Sequence, residues 1–419
     1  MKQKFTLFAL ISLVAFFWSV PAFSASVDEL KRQIDILSDE MDNLKDRSGS
    51  SGSKQHDRIR IHGYGEVHLQ APTSGANQET TIDAHRFVIG IHALLADWIH
   101  LNAEIDFEGA AQELEMEFAQ LDFLLTDSFN VRAGVMLAPV GLLNEFHEPT
   151  LFWTTERPEL QVRMIPSSWS VGGAGIYGTP MEGVNYRLYV VNSLQSVSDN
   201  SATNGRGNGN GGNNNAFSSN GIRDGRGSQI NQRIAEDFAV TGRIELTKLY
   251  PGLQVGFSTF LGDTTQGYID AGGFITLVEA DIKYRKEWFE MNSSIVSTHI
   301  ADTGAINNFC SIAGNACGGG VAKHQYGVNV QAGVHLPQLM GWKTTHDIVP
   351  HFMYERVRTQ DDVVDGFAPS LNRNRNAIFT FGVAYLPIPD VSIKADHTHT
   401  RLENDTETNE FRMSVSYMY

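Results

Sequence analysis

Cysteine is almost missing: the 419 residues contain two, too few for a disulfide scaffold or a four-thiolate zinc site. Positive charge is also short. Lys+Arg number 32 against 48 Asp+Glu, a formal charge of -16. A nucleic acid needs a basic face to meet its phosphates, so no nucleic acid is expected as a partner. Mean hydropathy is only -0.21, which excludes a bundle of membrane helices, each needing roughly 20 consecutive apolar residues. No G-x-S-x-G elbow, H-E-x-x-H helix or P-loop occurs. The sequence offers no catalytic constellation, no cofactor fingerprint and no metal-ligand spacing, and is not expected to be an enzyme. These absences leave a large soluble β protein or a transmembrane β-barrel.

The N-terminus indicates export. Lys2 and Lys4 precede an apolar stretch from Phe5 to Val20, and Pro21-Ala22-Phe23-Ser24 supplies small residues before a cut. This is the pattern of a secretory signal peptide over 1–24. Its removal takes away two lysines and no acid, moving the charge from -16 to -18. Over 25–47, Val27, Leu30, Ile34, Leu37, Met41 and Leu44 repeat at alternating spacings of three and four, the seam of a short coiled coil. So short a helix is marginal alone, and its self-association is favoured if another part of the chain holds the copies together. The 48–57 segment, beginning Ser48-Gly49-Ser50-Ser51-Gly52-Ser53, is a flexible linker.

From Arg58 onward the apolar period falls to two. Ile59, Ile61, Val67 and Leu69 share one face, and Arg58, Arg60, His62, Glu66 and His68 the other. Sixteen such segments are expected between 58 and 419, most about ten residues long, as a tilted strand crossing a bilayer requires. Short turns alternate with long connections at 70–81, 138–168, 193–236, 263–273, 300–324, 358–376 and 402–409, with 109–112 a short exception. An even strand count with loops sorted by side is the pattern of an outer-membrane barrel. The expected architecture is a 16-stranded antiparallel transmembrane β-barrel over 58–419, with the coiled-coil stalk in the periplasm of a Gram-negative cell.

A barrel of this size encloses water, so its polar face points inward and its apolar face meets outer-membrane lipid. The expected lumen wall includes Arg58, Arg60, His62, Glu66, His100, Glu104, Asp106, Glu108 and Arg132. Loop 138–168, the third on its side, is rich in aromatics and proline and is expected to fold into the mouth. There Glu145, His147, Glu148, Arg157 and Arg163 are candidates for the constriction, unless they only brace the loop through mutual salt bridges. The expected function is passive diffusion of small hydrophilic solutes or ions. The alternative is a structural anchor whose coiled coil binds a periplasmic or cell-wall partner.

Three passages carry a family resemblance: Val131 to Gly141 (VRAGVMLAPVG), Gly183 to Asn192 (GVNYRLYVVN) and Tyr385 to Asp396 (YLPIPDVSIKAD). They resemble the phosphate-selective porin O and P family. The resemblance implies a trimeric sixteen-stranded channel, in which an N-terminal periplasmic coiled coil is common. The sequence departs from the family motif at Val135 and Val140. The family's phosphate channels use an arginine ladder and a lysine cluster, whereas here Glu104, Asp106 and Glu108 interrupt the basic residues. Phosphate selectivity is therefore not carried over, and cations or neutral solutes are the expected cargo.

Cys310 and Cys317 lie in one long loop and are expected to form a disulfide in an oxidising compartment. The Gly/Asn-rich run within 201–228 is expected to be mobile, with no ligand assigned. His397 and His399 continue the apolar face of Val391, Ile393 and Ala395, so an interfacial position suits them better than metal binding.

Overall fold

The computed structural model describes residues 58–74, 79–198, 216–226, 234–312, 315, 317 and 319–419. The signal peptide, coiled coil and linker assigned to 1–57 lie outside these residues, as does most of the Gly/Asn-rich run.

Sixteen strands follow one another: β1 Ile59–Ser74, β2 Thr81–Ala96, β3 Ile99–Glu108, β4 Glu113–Thr126, β5 Phe129–Leu137, β6 Ser170–Met181, β7 Val184–Asn192 and β8 Phe238–Tyr250, then β9 Leu253–Gly262, β10 Ile275–Lys286, β11 Phe289–Ile300, β12 His324–Val334, β13 Asp347–Asp362, β14 Arg375–Ile388, β15 Val391–Leu402 and β16 Glu407–Met418. Each pairs antiparallel with its neighbours in sequence, and β1 pairs with β16 to close the barrel. The last residue completes the seam, where Gly63 and Tyr419 exchange backbone hydrogen bonds of 3.0 and 2.9 Å. Closure leaves no strand edge unpaired, the condition for a sheet in lipid.

Alternation decides which face is wet. Ile59, Ile61, Val67, Phe87, Leu188, Val190, Ile244, Phe257, Val278, Ile295, Phe381, Val383, Met413 and Val415 project outward and are exposed. Outside a membrane so many exposed apolar side chains would be a liability; together they form a lipid belt. Trp98, Phe129, Tyr250, Trp288 and Trp342 lie at or beside the short turns and are exposed, as the aromatic girdle at a membrane interface requires. His397 also lies outside, opposite Phe381 and Phe411.

Two expectations change. Several strands outrun the predicted limits: β1 continues to Ser74 and β13 to Asp362, shortening the first and seventh long loops. At the long-loop end the outward face becomes polar, so the alternation fades although the backbone pairing continues. The inner wall is also not uniformly polar. At their long-loop ends β9, β10 and β11 turn Phe260, Ile275, Leu277, Val296 and Ile300 inward, all fully buried. They pack beneath loop residues Leu160, Met164, Ile165, Trp169, Leu194, Phe217, Ile222 and Ile306. Phe217 and Ile222 belong to the described part of the 201–228 region. Helix α2, Thr303–Cys310, contributes Ile306 to this loop core and ends at the expected disulfide, Cys310–Cys317.

Candidate functional site

Loop 138–169 leaves β5, crosses the lumen and returns to β6. Its two ends are stapled together: Ala138 N donates to Trp169 O (2.9 Å), Asn144 Nδ2 donates to Ala138 O (2.7 Å), and Trp169 N donates to Asn144 Oδ1 (2.8 Å). Between these ends the backbone bonds to wall side chains far away in sequence. Gly141 N donates to Ser258 Oγ of β9 at 3.1 Å. On β15, Lys394 Nζ donates to Pro149 O at 2.5 Å and Thr154 O at 3.1 Å, and lies 4.0 Å from the Phe152 ring centroid. Thr155 N donates to Asp396 Oδ2 at 2.6 Å. Helix α1, Glu159–Arg163, starts against β13, where Glu159 N and Leu160 N donate to the two carboxylate oxygens of Glu355, both at 3.0 Å.

Two wall glycines give the loop room. A Cβ at Gly327 would lie 2.8 Å from Leu160 Cδ1, and one at Gly333 2.8 Å from Trp153 Cζ3. Any side chain on these β12 positions would push the loop toward the open lumen.

The five constriction candidates all lie on this loop, and four of them, Glu145, His147, Arg157 and Arg163, have side-chain partners. His147 Nε2 faces Glu117 Oε2 at 2.7 Å and Glu104 Oε1 at 3.7 Å, and its Nδ1 lies 3.1 Å from Asn144 O. Burial opposes the imidazolium, but Glu117 and Glu104 outweigh it and hold the His147 pKa well above its usual value. Glu145 pairs with Arg187 of β7 at 3.2 Å. Arg163 pairs with Glu159, one helical turn away. Arg157 donates to Ser168 Oγ at 3.1 Å and His147 O at 3.4 Å. Glu148 precedes the 3-10 turn Pro149–Leu151, and burial pushes its carboxyl pKa up. These contacts brace the loop.

The expected lumen residues take the inward register. Arg58, Arg60 and His62 lie toward the short-turn end of β1. Glu66 pairs with Arg86 of β2 at 3.1 Å. Arg86 also approaches Glu108 (3.4 Å), Asp106 (3.7 Å) and Glu117 (3.9 Å). Glu104 accepts a hydrogen bond from the Tyr64 hydroxyl at 3.3 Å. Arg132 pairs with Asp122 at 2.7 Å and His100 packs its ring against His92. Sequence reasoning missed much of the opposite wall: Arg243, which binds Asp281 (2.6 Å) and Glu245 (2.8 Å), and Glu355, Lys394 and Asp396, which hold the loop. Their positions on alternating strand faces were a usable signal; their partners on the loop were not.

No family model matches this chain. A protein of Aquifex aeolicus (strain VF5), described as uncharacterized, is 27% identical over 373 residues, covering 86% of this chain and 80% of that protein. Among solved structures, the chain is similar to an anion-selective porin from Comamonas acidovorans (8% identity, TM-score 0.53, 86% of this chain and 99% of that one). It is also similar to Salmonella typhi OmpF in complex with daunomycin (8%, 0.53, 86% and 97%). A third is the outer membrane channel DcaP of Acinetobacter baumannii (10%, 0.50, 88% and 100%). At these identities the likeness establishes the fold, a sixteen-strand barrel of the outer-membrane porin type.

Proposed function

We propose that this chain is an outer-membrane porin through which small hydrophilic solutes or ions diffuse passively, narrowed by loop 138–168. The observation that carries this reading is the pinned loop. A closed barrel with an apolar belt outside and charges inside makes a wet hole, and the loop crossing it sets the width. Two of the solved structures of similar fold are described as a porin and as an outer membrane channel. Purified protein in planar bilayers should give discrete conductance steps; no current at any voltage would refute the channel.

Selectivity follows from the wall. Five inward arginines, Arg86, Arg132, Arg187, Arg243 and Arg412, each face a carboxylate within 3.2 Å, which leaves Arg58 and Arg60 at the short-turn end too few for the bare ladder that a phosphate channel needs. Acid excess in the whole chain then favours cations or neutral solutes. Reversal potentials in a salt gradient test this, and strong anion preference would contradict it. The resemblance to trimeric porins supports a homotrimer, with the 25–47 stalks brought together by the barrels; triplet conductance steps are the expected signature.

The loop latch at His147 predicts a pH profile. The groups facing its imidazole are Glu117, Glu104 and Arg157, with Arg86 and Tyr64 beside those acids. A raised histidine pKa means that the proton's stabilising effect is complete below the ordinary value near 6.5 and is lost as pH rises through the raised value. Conductance should therefore stay level from acid through neutral pH and increase, with added noise, only on the alkaline side. His147→Gln should show the looser behaviour at every pH. A wild-type transition near pH 6 would refute the latch.

A further inference from the structure

At the long-loop end of the wall, β1, β2 and the tip of the inserted loop meet around two histidines. His68 points inward by ordinary alternation. His85 arrives there through a bulge: Glu66 pairs with Arg86 and His68 with Asp83, so Ala84 and His85 together oppose Val67. Bulges of this kind re-aim a side chain. The two imidazoles stack, with centroids 4.5 Å apart and planes 11° from parallel. From the loop, Glu156 Oε1 comes within 2.9 Å of His68 Nδ1. One ligand atom from each of His68, His85 and Glu156 lies within 4.8 Å of the others.

We infer that His68, His85 and Glu156 form a binding site for a divalent transition-metal ion, for which Zn2+ is the natural probe. Two imidazoles and one carboxylate are the ligand set of an open zinc site, with a further position left for water or a passing solute. The outer shell has the matching chemistry. Ligating histidines donate their second ring N–H to a carboxylate; here Glu66 Oε2 lies 2.8 Å from His68 Nε2, and Asp83 Oδ2 lies 3.0 Å from His85 Nδ1. Arg86 Nη2 lies 3.2 Å from His85 Nε2 and has Glu108 as its other partner at 3.4 Å, to which it can turn when the ring takes a metal. The side chains of His85 and Glu156 are 31% and 27% exposed, so an ion in the lumen can reach them.

The second His/carboxylate group, Glu104, Glu117 and His147, differs on this point. All three are buried and their polar atoms already bind one another and Tyr64, which suits a latch. In the His68 site the metal would join the loop tip to the wall, so occupancy should hold the passage in its narrow state.

The test is calorimetric titration of the detergent-folded, untagged protein with Zn2+, with Co2+ absorption as a spectroscopic check on nitrogen ligation. One ion per chain is expected. His68→Ala and His85→Ala should each weaken binding at least tenfold, and Glu66→Gln should weaken it through the outer shell. His397→Ala, on the lipid face, should change nothing. Heat-modifiability on gels verifies that each variant keeps its barrel; should His68→Ala fail there, His85→Ala and Glu156→Gln carry the test. No binding, or equal binding by wild type and His85→Ala, overturns the site. Because binding is read without current, a protein that binds Zn2+ but does not conduct refutes the channel and not the site.

Discussion

Glu355→Ala should widen the channel. The Glu355 carboxylate takes the first two backbone N–H groups of α1 at 3.0 Å each, and among the described residues no other wall side chain bonds to those two donors. A hydrogen bond to a charged acceptor contributes about 1.5–3 kcal/mol, so losing both removes on the order of 3 kcal/mol or more from loop docking. That is comparable to the whole stability of a locally folded segment. The barrel itself should persist, because its ladder does not depend on Glu355. Single-channel conductance should rise by about twofold or more with greater open-channel noise. Glu355→Gln, which keeps one acceptor oxygen, should fall between. Unchanged conductance in Glu355→Ala would mean that the loop is not held from β13.

Trp169→Ala should have a comparably large effect by a different route. Trp169 is 1% exposed and its ring packs on Phe260 of β9 at 4.6 Å. Its removal leaves a cavity in the apolar core that covers β9 to β11. Truncations of this size cost about 3–5 kcal/mol. Limited proteolysis should then cut within 138–169 much faster than in the wild type, while the folded barrel still migrates as such on gels. Trp98→Ala, at a short turn and 50% exposed, is the control and should leave the loop protected. Protection of the loop in Trp169→Ala would place its anchorage elsewhere.

The two variants also mark where sequence reading stops. All sixteen strands were legible because a strand with one lipid face and one wet face imposes period two locally. Where the outward face turns polar, as at Thr73 of β1 and at Arg356 and Arg358 of β13, that contrast fades and the strand ends were placed short. Loop 138–168 was recognisable from Phe152, Trp153 and its prolines, and the charged candidates on it were named correctly as loop residues. Their partners were out of reach. Glu355 is 195 residues from Leu160, and Lys394 is 245 from Pro149; no local pattern pairs groups so far apart.

The inward apolar patch was hidden for a related reason. Phe260, Leu277 and Val296 each sit in a strand with apolar residues on both faces near its long-loop end, which alternation cannot interpret. Only the arrival of Leu160, Met164 and Trp169 from the loop gives those residues a dry partner. Likewise, His85 and His68 would fall on opposite faces of regularly paired strands, and a single bulge opposite Val67 unites them.

The sequence by itself determined the strand number, the sorting of loops by side and the wet and lipid faces, since each follows from residue spacing and the demands of a bilayer. The tertiary structure alone decided how the loop is anchored, which acids neutralise which arginines and where two histidines meet a carboxylate. The loop anchors depend on closure of the sheet, which brings together groups 117 to 245 positions apart, whereas the ion pairs and the histidine pair depend on the register between neighbouring strands and on one bulge.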